Sequence, residues 1–336
     1  MRPSWYPVLW VFLPALLAGF LLFGVAGRDA VRAQVPVSWR QGVMAPNGDA
    51  GLRFMTAEGG FAARQGLGLR MVAFNDETLM FKALMAGEIE TLEGSPSQAM
   101  IATSKGGDLK IVGCSRPKLG LSFFAHQGIG SLSDLRGKTI GISAPGAMPE
   151  LVARAMLGRV AIELRDVKFV ELGNDADRVR AVAARKIDAT VAASDFAAHT
   201  ELGLKNLAHA NDILPSFVSD CIVTRGDLWR KRFDDLVGLL AATMNAYDHA
   251  LTHKADTVGL ARRIAKLPAA DPMPAANFDE MISNRSISPT LELDITKLLW
   301  LRDFLADERL IDSDFEPETM IDRSARERAL ARIKGP

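Results

Sequence analysis

The polar residues best placed to do chemistry in this sequence fall in four short loops, Pro46–Asp49, Gly94–Ser97, Ala144–Ala147 and Ser194–Phe196. Each loop separates an apolar, strand-like run from a run with helical spacing. It can therefore offer unpaired backbone N–H groups and the positive end of a helix dipole. Four such loops converging on one crevice favour a small anion. The candidate contacts are Asn47, Ser95, Pro96, Ser97, Ser143, Gly146, Ala147, Met148, Ser194 and Asp195. Each polar one also has a plainer use. Ser95 and Ser97 are good helix N-caps, Asn47 suits a turn, and Asp195 reads first as the N-cap of a helix beginning at Phe196. Asp195 sits badly beside an anion. If it and Asp49 both face the crevice, a cationic or amine-bearing ligand becomes the better reading, because a buried carboxylate needs a partner.

Other reactive side chains give less. His249 and His253 have the i,i+4 spacing of a two-histidine metal face, but Ala250 stands where an H-E-x-x-H motif has its acid, and no third ligand is apparent. An exposed helix face is the expected fate of that pair. His126, His199 and His209 are isolated in sequence, and no G-x-S-x-G, P-loop or dinucleotide fingerprint occurs. No catalytic residue, metal or cofactor is expected. Lys+Arg and Asp+Glu balance at 40 each, so the basic surplus of a nucleic-acid binder is missing. Arg116 and Lys118 carry charge that can pair with a carboxylate, sulfonate or phosphonate, although solvated surface is the commoner fate of such residues.

The elements that must position these loops alternate along the chain. Strand-like runs at 37–45, 69–74, 88–92 and 109–114 are interleaved with helical runs at 52–65, 76–85 and 98–104. The series restarts with strands at 121–125, 139–143, 167–172 and 189–193 and helices at 149–157 and 175–184. Phe217–Arg225 is a last extended stretch, and helices are expected at 234–251, 257–266 and 291–307. Such alternation demands mostly parallel sheets with helices on both faces. Two doubly wound α/β units joined by two extended crossovers place a cleft at their interface, beyond the carboxyl ends of the strands. Phe123 and Phe124 lie on the first crossover strand, where alternation sends one to the core and the other toward the cleft.

The first residues read as an address. Arg2 precedes a charge-free apolar run, Tyr6–Gly27, and Val31-Arg32-Ala33 offers small residues for cleavage before Gln34. Cleavage after Ala33 and release into a periplasm are expected; a retained anchor over 6–27 is the alternative. Pro7 and Pro14 interrupt the run and favour cleavage, and the lack of a cysteine near the cut argues against lipid attachment.

Several stretches in order are familiar: TAEGGFAARQGLGLRMVAF, ALMAGEIETLEGSPSQAMIATSKGGDLKIVG, SLSDLRGKTIGISAPGAMPELVARAML and RVRAVAARKIDATVAAS. In them the sequence resembles the type II periplasmic binding proteins of the nitrate, aliphatic sulfonate and taurine group, whose fold is shared by thiamine-pyrimidine synthase-like proteins. The resemblance runs from about residue 37 to 225. It implies the solute-binding subunit of an ABC importer, a monomer that takes a sulfonate, carboxylate or nitrate-like solute and docks on a membrane permease. The division it suggests is a leader at 1–33, a first lobe at 34–120, a second at 121–216, and a return strand with C-terminal helices at 217–336. It also places Cys114 and Cys221 on neighbouring strands, where a disulfide is open to them in an oxidising compartment. Gly146-Ala147 departs from the hydroxyl residue often found after that glycine. A thiamine-pyrimidine synthase-like enzyme or pyrimidine-precursor binder, whose cysteine cluster this chain lacks, and a membrane-tethered sensor are the alternatives.

Overall fold

Strand and helix alternate as the apolar periodicity dictates. In the computed structural model, which describes residues 36–335, they build two five-stranded sheets. The leader read at 1–33 lies outside the described residues. The first sheet contains β1 (Val37–Met44), β2 (Leu67–Phe74), β3 (Thr91–Gly94) and β4 (Leu109–Arg116). The second contains β5 (Leu121–His126), β6 (Thr139–Ile142), β7 (Lys168–Glu171), β8 (Ala189–Ala193) and β9 (Leu204–His209). The chain then returns and completes the first sheet with β10 (Asp220–Arg225).

Spatial order is β2-β1-β3-β10-β4 in one sheet and β7-β6-β8-β5-β9 in the other. In each sheet the strand that has just crossed over, β10 or β5, takes the fourth position and runs antiparallel to both neighbours. The other four strands of each sheet run one way, as the alternation predicts. Residues 117–120 and 214–219 carry the two crossovers. Cys114 and Cys221 face each other in register on β4 and β10 and are disulfide-bonded, with Cα atoms 3.8 Å apart. The bond spans a sequence separation of 107 residues that includes the whole second sheet.

Some elements differ from expectation. The run at 52–65 forms three short helical turns, Ala50–Arg53, Met55–Glu58 and Phe61–Arg64, with Gly60 at φ +73° ending the second segment's direction. Gly51 must lack a side chain, because a methyl group there would collide with the Thr257 carbonyl of the helix Lys254–Ala265 laid across it. The expected helix at 291–307 begins only at Ile295, since Leu291 takes φ +51° and Asp294 caps the Lys297 N–H at 3.1 Å. β9 and the helices Met273–Asn284 and Ser324–Lys334 were not anticipated. The long helix Phe233–Thr252 covers the first sheet, burying Leu236, Leu240 and Tyr247 in a cluster with Trp39, Val112 and Ile222. No described helix is long and apolar enough to cross a membrane.

Candidate functional site

β1, β3 and β4 run parallel and end at one edge of the first sheet, where β10 begins. A buried network of charges gathers there. The turn after β1 is shaped by Asn47, whose Oδ1 accepts the Asp49 N–H at 3.2 Å. One helical turn later Arg53 reaches back to Asp49 Oδ2 at 2.5 Å. Arg116, the last residue of β4, donates to the same oxygen at 2.8 Å. Asp220, the first residue of β10, lies 3.0 Å from Arg53 Nη2 and 3.5 Å from Arg116 Nε. Glu93 on β3 is fully buried and accepts hydrogen bonds from Ser115 Oγ at 2.6 Å and from the Tyr247 hydroxyl at 2.8 Å. Its carboxylate stands 3.9 Å from Arg53 Nη1.

Three carboxylates thus meet two guanidiniums out of water, where charge survives only if paired. Burial alone would raise the Asp49 carboxyl, but Arg53 and Arg116 beside it prevail and hold it below the usual carboxylate range. Burial, reinforced by Glu93, pushes the Tyr247 phenol well up, so it serves as a hydrogen-bond donor. Glu77 lies just behind, accepting the Ser95 N–H at 2.6 Å. Burial raises its carboxyl to about 7 in spite of that bond.

The second sheet meets this edge. Asp195 sits in a short 3-10 turn, Ser194–Ala198, and is 3% exposed, and neither of its carboxylate oxygens has a hydrogen-bond partner. A methyl group on Gly48 would collide with Asp195 Oδ2, so the carboxylate is in contact with the loop after β1. Gln98 Nε2 of the first lobe donates to the Gly146 carbonyl of the second. His209 Nε2 on β9 lies 2.9 Å from Glu280 Oε1 on the helix Met273–Asn284.

Most residues singled out in the sequence gather at this junction, but several do plainer work. Asn47 shapes its own turn. Ser95 caps the helix Pro96–Ser104 by accepting the Gln98 N–H at 3.4 Å, with Pro96 at its first position. Ser97 Oγ is buried with no partner. The Ser194 hydroxyl is 3.1 Å from that of Ser122. Ser143 and Ala147 flank the turn before the helix Met148–Gly158, and Met148 Sδ is 3.9 Å from Ser219 Oγ. The Gly146 N–H is taken by Glu150 of that helix. Asp195 does not cap, because Ala193 holds the N-cap position. Arg116 is buried in the network and not solvated, while Lys118 donates to the Asn284 carbonyl at 2.8 Å. Phe123 and Phe124 are both buried, on opposite sides of β5, the latter beside Phe196 and Met273. His249 and His253 stack on each other with ring centres 3.9 Å apart, and His249 lies 3.2 Å from Asp256.

Arg53, Glu77, Glu93, Asp220 and Tyr247 were not anticipated. The i,i+4 spacing of Asp49 and Arg53 was a legible signal, and so were the single acids of the strands TLEG and DCIVTR.

Known proteins share this fold. A binding protein of Brucella abortus is 24% identical over 266 residues, covering 77% of this chain and 80% of its own. The nitrate-binding protein of Synechocystis superposes with a TM-score of 0.75 at 13% identity, covering 90% of each chain. The alkanesulfonate-binding protein of Xanthomonas axonopodis, solved with MOPS bound, superposes at 0.73 with 16% identity, covering 86% of this chain and 99% of its own. These structural likenesses establish the periplasmic binding protein fold. The NMT1/THI5-like family model matches residues 50–256, more than half of the 336 residues, and the chain belongs to that family.

Proposed function

We propose that this chain is the extracytoplasmic solute-binding subunit of an ABC importer, holding a small solute between its two lobes and presenting the closed form to a membrane permease. One observation carries the reading. A charged network at the strand ends of one lobe faces a buried, unpartnered carboxylate of the other, across a junction joined by only two crossovers. Groups left unsatisfied where two lobes meet are what a ligand would complete, and a solute touching both lobes biases the hinge toward closure. The names of the nitrate-binding and alkanesulfonate-binding proteins on the same fold support capture of small solutes. Fold alone does not separate binding from catalysis. The neighbours named for nitrate and alkanesulfonate binding favour capture without chemistry, which is the function proposed.

The first lobe is assigned to 34–120 with the C-terminal region 217–336, the second to 121–216, and the mature protein to a monomer starting at Gln34 in the periplasm. Mass analysis of the exported protein checks the last point, and an intact Met1 terminus held in membranes contradicts it. A thermal-shift screen of small sulfonates, carboxylates, amines and pyrimidines tests capture itself. A true ligand at a hundred times its Kd adds about 2.7 kcal/mol of apparent stability. A shift of several degrees is the expected result, and a flat response to every class and to a whole metabolite extract contradicts the reading.

A further inference from the structure

We propose that the solute carries a protonated amine or amidine and that Asp195 receives it. This deepens the solute-capture reading and rests on it. The geometry is that of an acceptor with nothing to accept. Asp195 is 3% exposed, both of its oxygens lack hydrogen-bond partners, and no cation lies within ion-pairing distance of it among the described residues. Gly48, opposite, brings backbone and no side chain, and the Met273 carbonyl borders the same spot, adding an acceptor and no donor.

The surroundings favour a cation. The two guanidiniums of the junction, Arg53 and Arg116, are already within ion-pairing distance of Asp49 and Asp220, although Arg53 Nη1 and Arg116 Nε keep N–H groups without a hydrogen-bond partner. An anion would have to compete with those carboxylates. Two N–H groups just before the starts of helices Pro96–Ser104 and Met148–Gly158 are also engaged: Ser95 N by Glu77 and Gly146 N by Glu150. Asp195 is the acid left over. Burial, with Asp49, Glu280 and Asp175 nearby and only Arg116 opposing, raises its proton affinity well above the ordinary carboxylate range. An ammonium or amidinium group would replace that proton and supply two or more N–H donors to the two empty oxygens. Phe196, Phe124 and Met273 form an apolar cluster beside it that would shield the ion pair from water.

The test compares the wild type with Asp195→Asn, an isostere that keeps the side-chain volume. Butylamine, putrescine, agmatine and benzamidine form one set of probes; nitrate, methanesulfonate and acetate form the other. Thermal shift and titration calorimetry are read at pH 7.5. The proposal predicts that at least one cationic probe raises the melting temperature of the wild type. It also predicts that Asp195→Asn binds that probe at least tenfold more weakly while melting cooperatively. Equal binding by the two proteins overturns it, as does a wild type answering to anions alone or to no probe. A wild type that binds an anion and no cationic probe, with that binding unchanged in Asp195→Asn, would remove the amine assignment and leave solute capture standing. Failure to retain any molecule from a metabolite extract would remove both.

Discussion

Arg53 touches more of the junction's acids than any other side chain described, standing within 4 Å of Asp49, Asp220 and Glu93. Replacing it with Met keeps much of the volume, leaves Asp49 and Asp220 to Arg116 alone, and leaves Glu93 with hydroxyl donors but no cation. Breaking a buried ion-pair network in this way costs about 3–5 kcal/mol, and a urea-unfolding midpoint of Arg53→Met against the wild type measures it. Glu77 gives a pH signature. It keeps its proton up to about pH 7 in the folded chain against 4.5 for an ordinary Glu. The folded state therefore binds the extra proton, and stability from this group falls as pH rises between those two values, by up to about 3 kcal/mol. Glu77→Gln, which still offers an oxygen to the Ser95 N–H, should flatten that part of the stability–pH curve. An unchanged curve would show that another group sets it. The i,i+4 spacing of Asp49 and Arg53 is visible in the sequence, although their pairing was not anticipated. Asp195 was legible as a candidate contact and first as a cap, but its lack of a partner is decided by what faces it across the junction.

At the scale of elements, the disulfide joins β4, from which the chain leaves the first sheet, to β10, by which it returns. Everything between the crossovers is closed into one loop, so the bond restricts the unfolded chain strongly. The Cys114→Ala/Cys221→Ala double variant should lose about 2–4 kcal/mol in denaturant unfolding under oxidising conditions, and the wild type should fall to match it in reductant. Such a bond persists in an oxidising compartment, in keeping with export. His209 and Glu280 link β9 to the helix Met273–Asn284. The Glu280 hydrogen bond, set against burial and aided by Asp212, raises the imidazole above its usual 6.5. Its contribution is complete below that value and is lost as pH rises through the raised one. Unfolding midpoints of wild type and His209→Gln should therefore differ most below pH 6.5 and converge at higher pH. Alternation of apolar runs made most strands legible. β9 escaped notice because LKNLAH lacks β-branched residues and sits at a sheet edge. The helix at 273–284 escaped because a segment opening on Met-Pro after several prolines reads as a linker.

At the scale of the whole molecule, two sheets with exchanged fourth strands meet where Gly48 faces Asp195, and the family resemblance in the sequence already implied that architecture. It did not reveal the charged junction, because residues 49, 53, 93 and 116 meet only when the first sheet forms, and 195 and 220 join them only through the two crossovers. Gly48 offers the most direct handle on the claim that this junction holds the solute. Gly48→Leu places a side chain against Asp195; the Asp195 carboxylate and the Met273 carbonyl are the nearest groups to its first carbon. Native mass spectrometry should be run on wild type and Gly48→Leu after each is unfolded, stripped, refolded and incubated with the same small-molecule extract. One discrete small-molecule adduct is expected on the wild type, and its loss is expected from a variant that still melts cooperatively. An equal adduct on both proteins would contradict that claim by placing the binding site elsewhere.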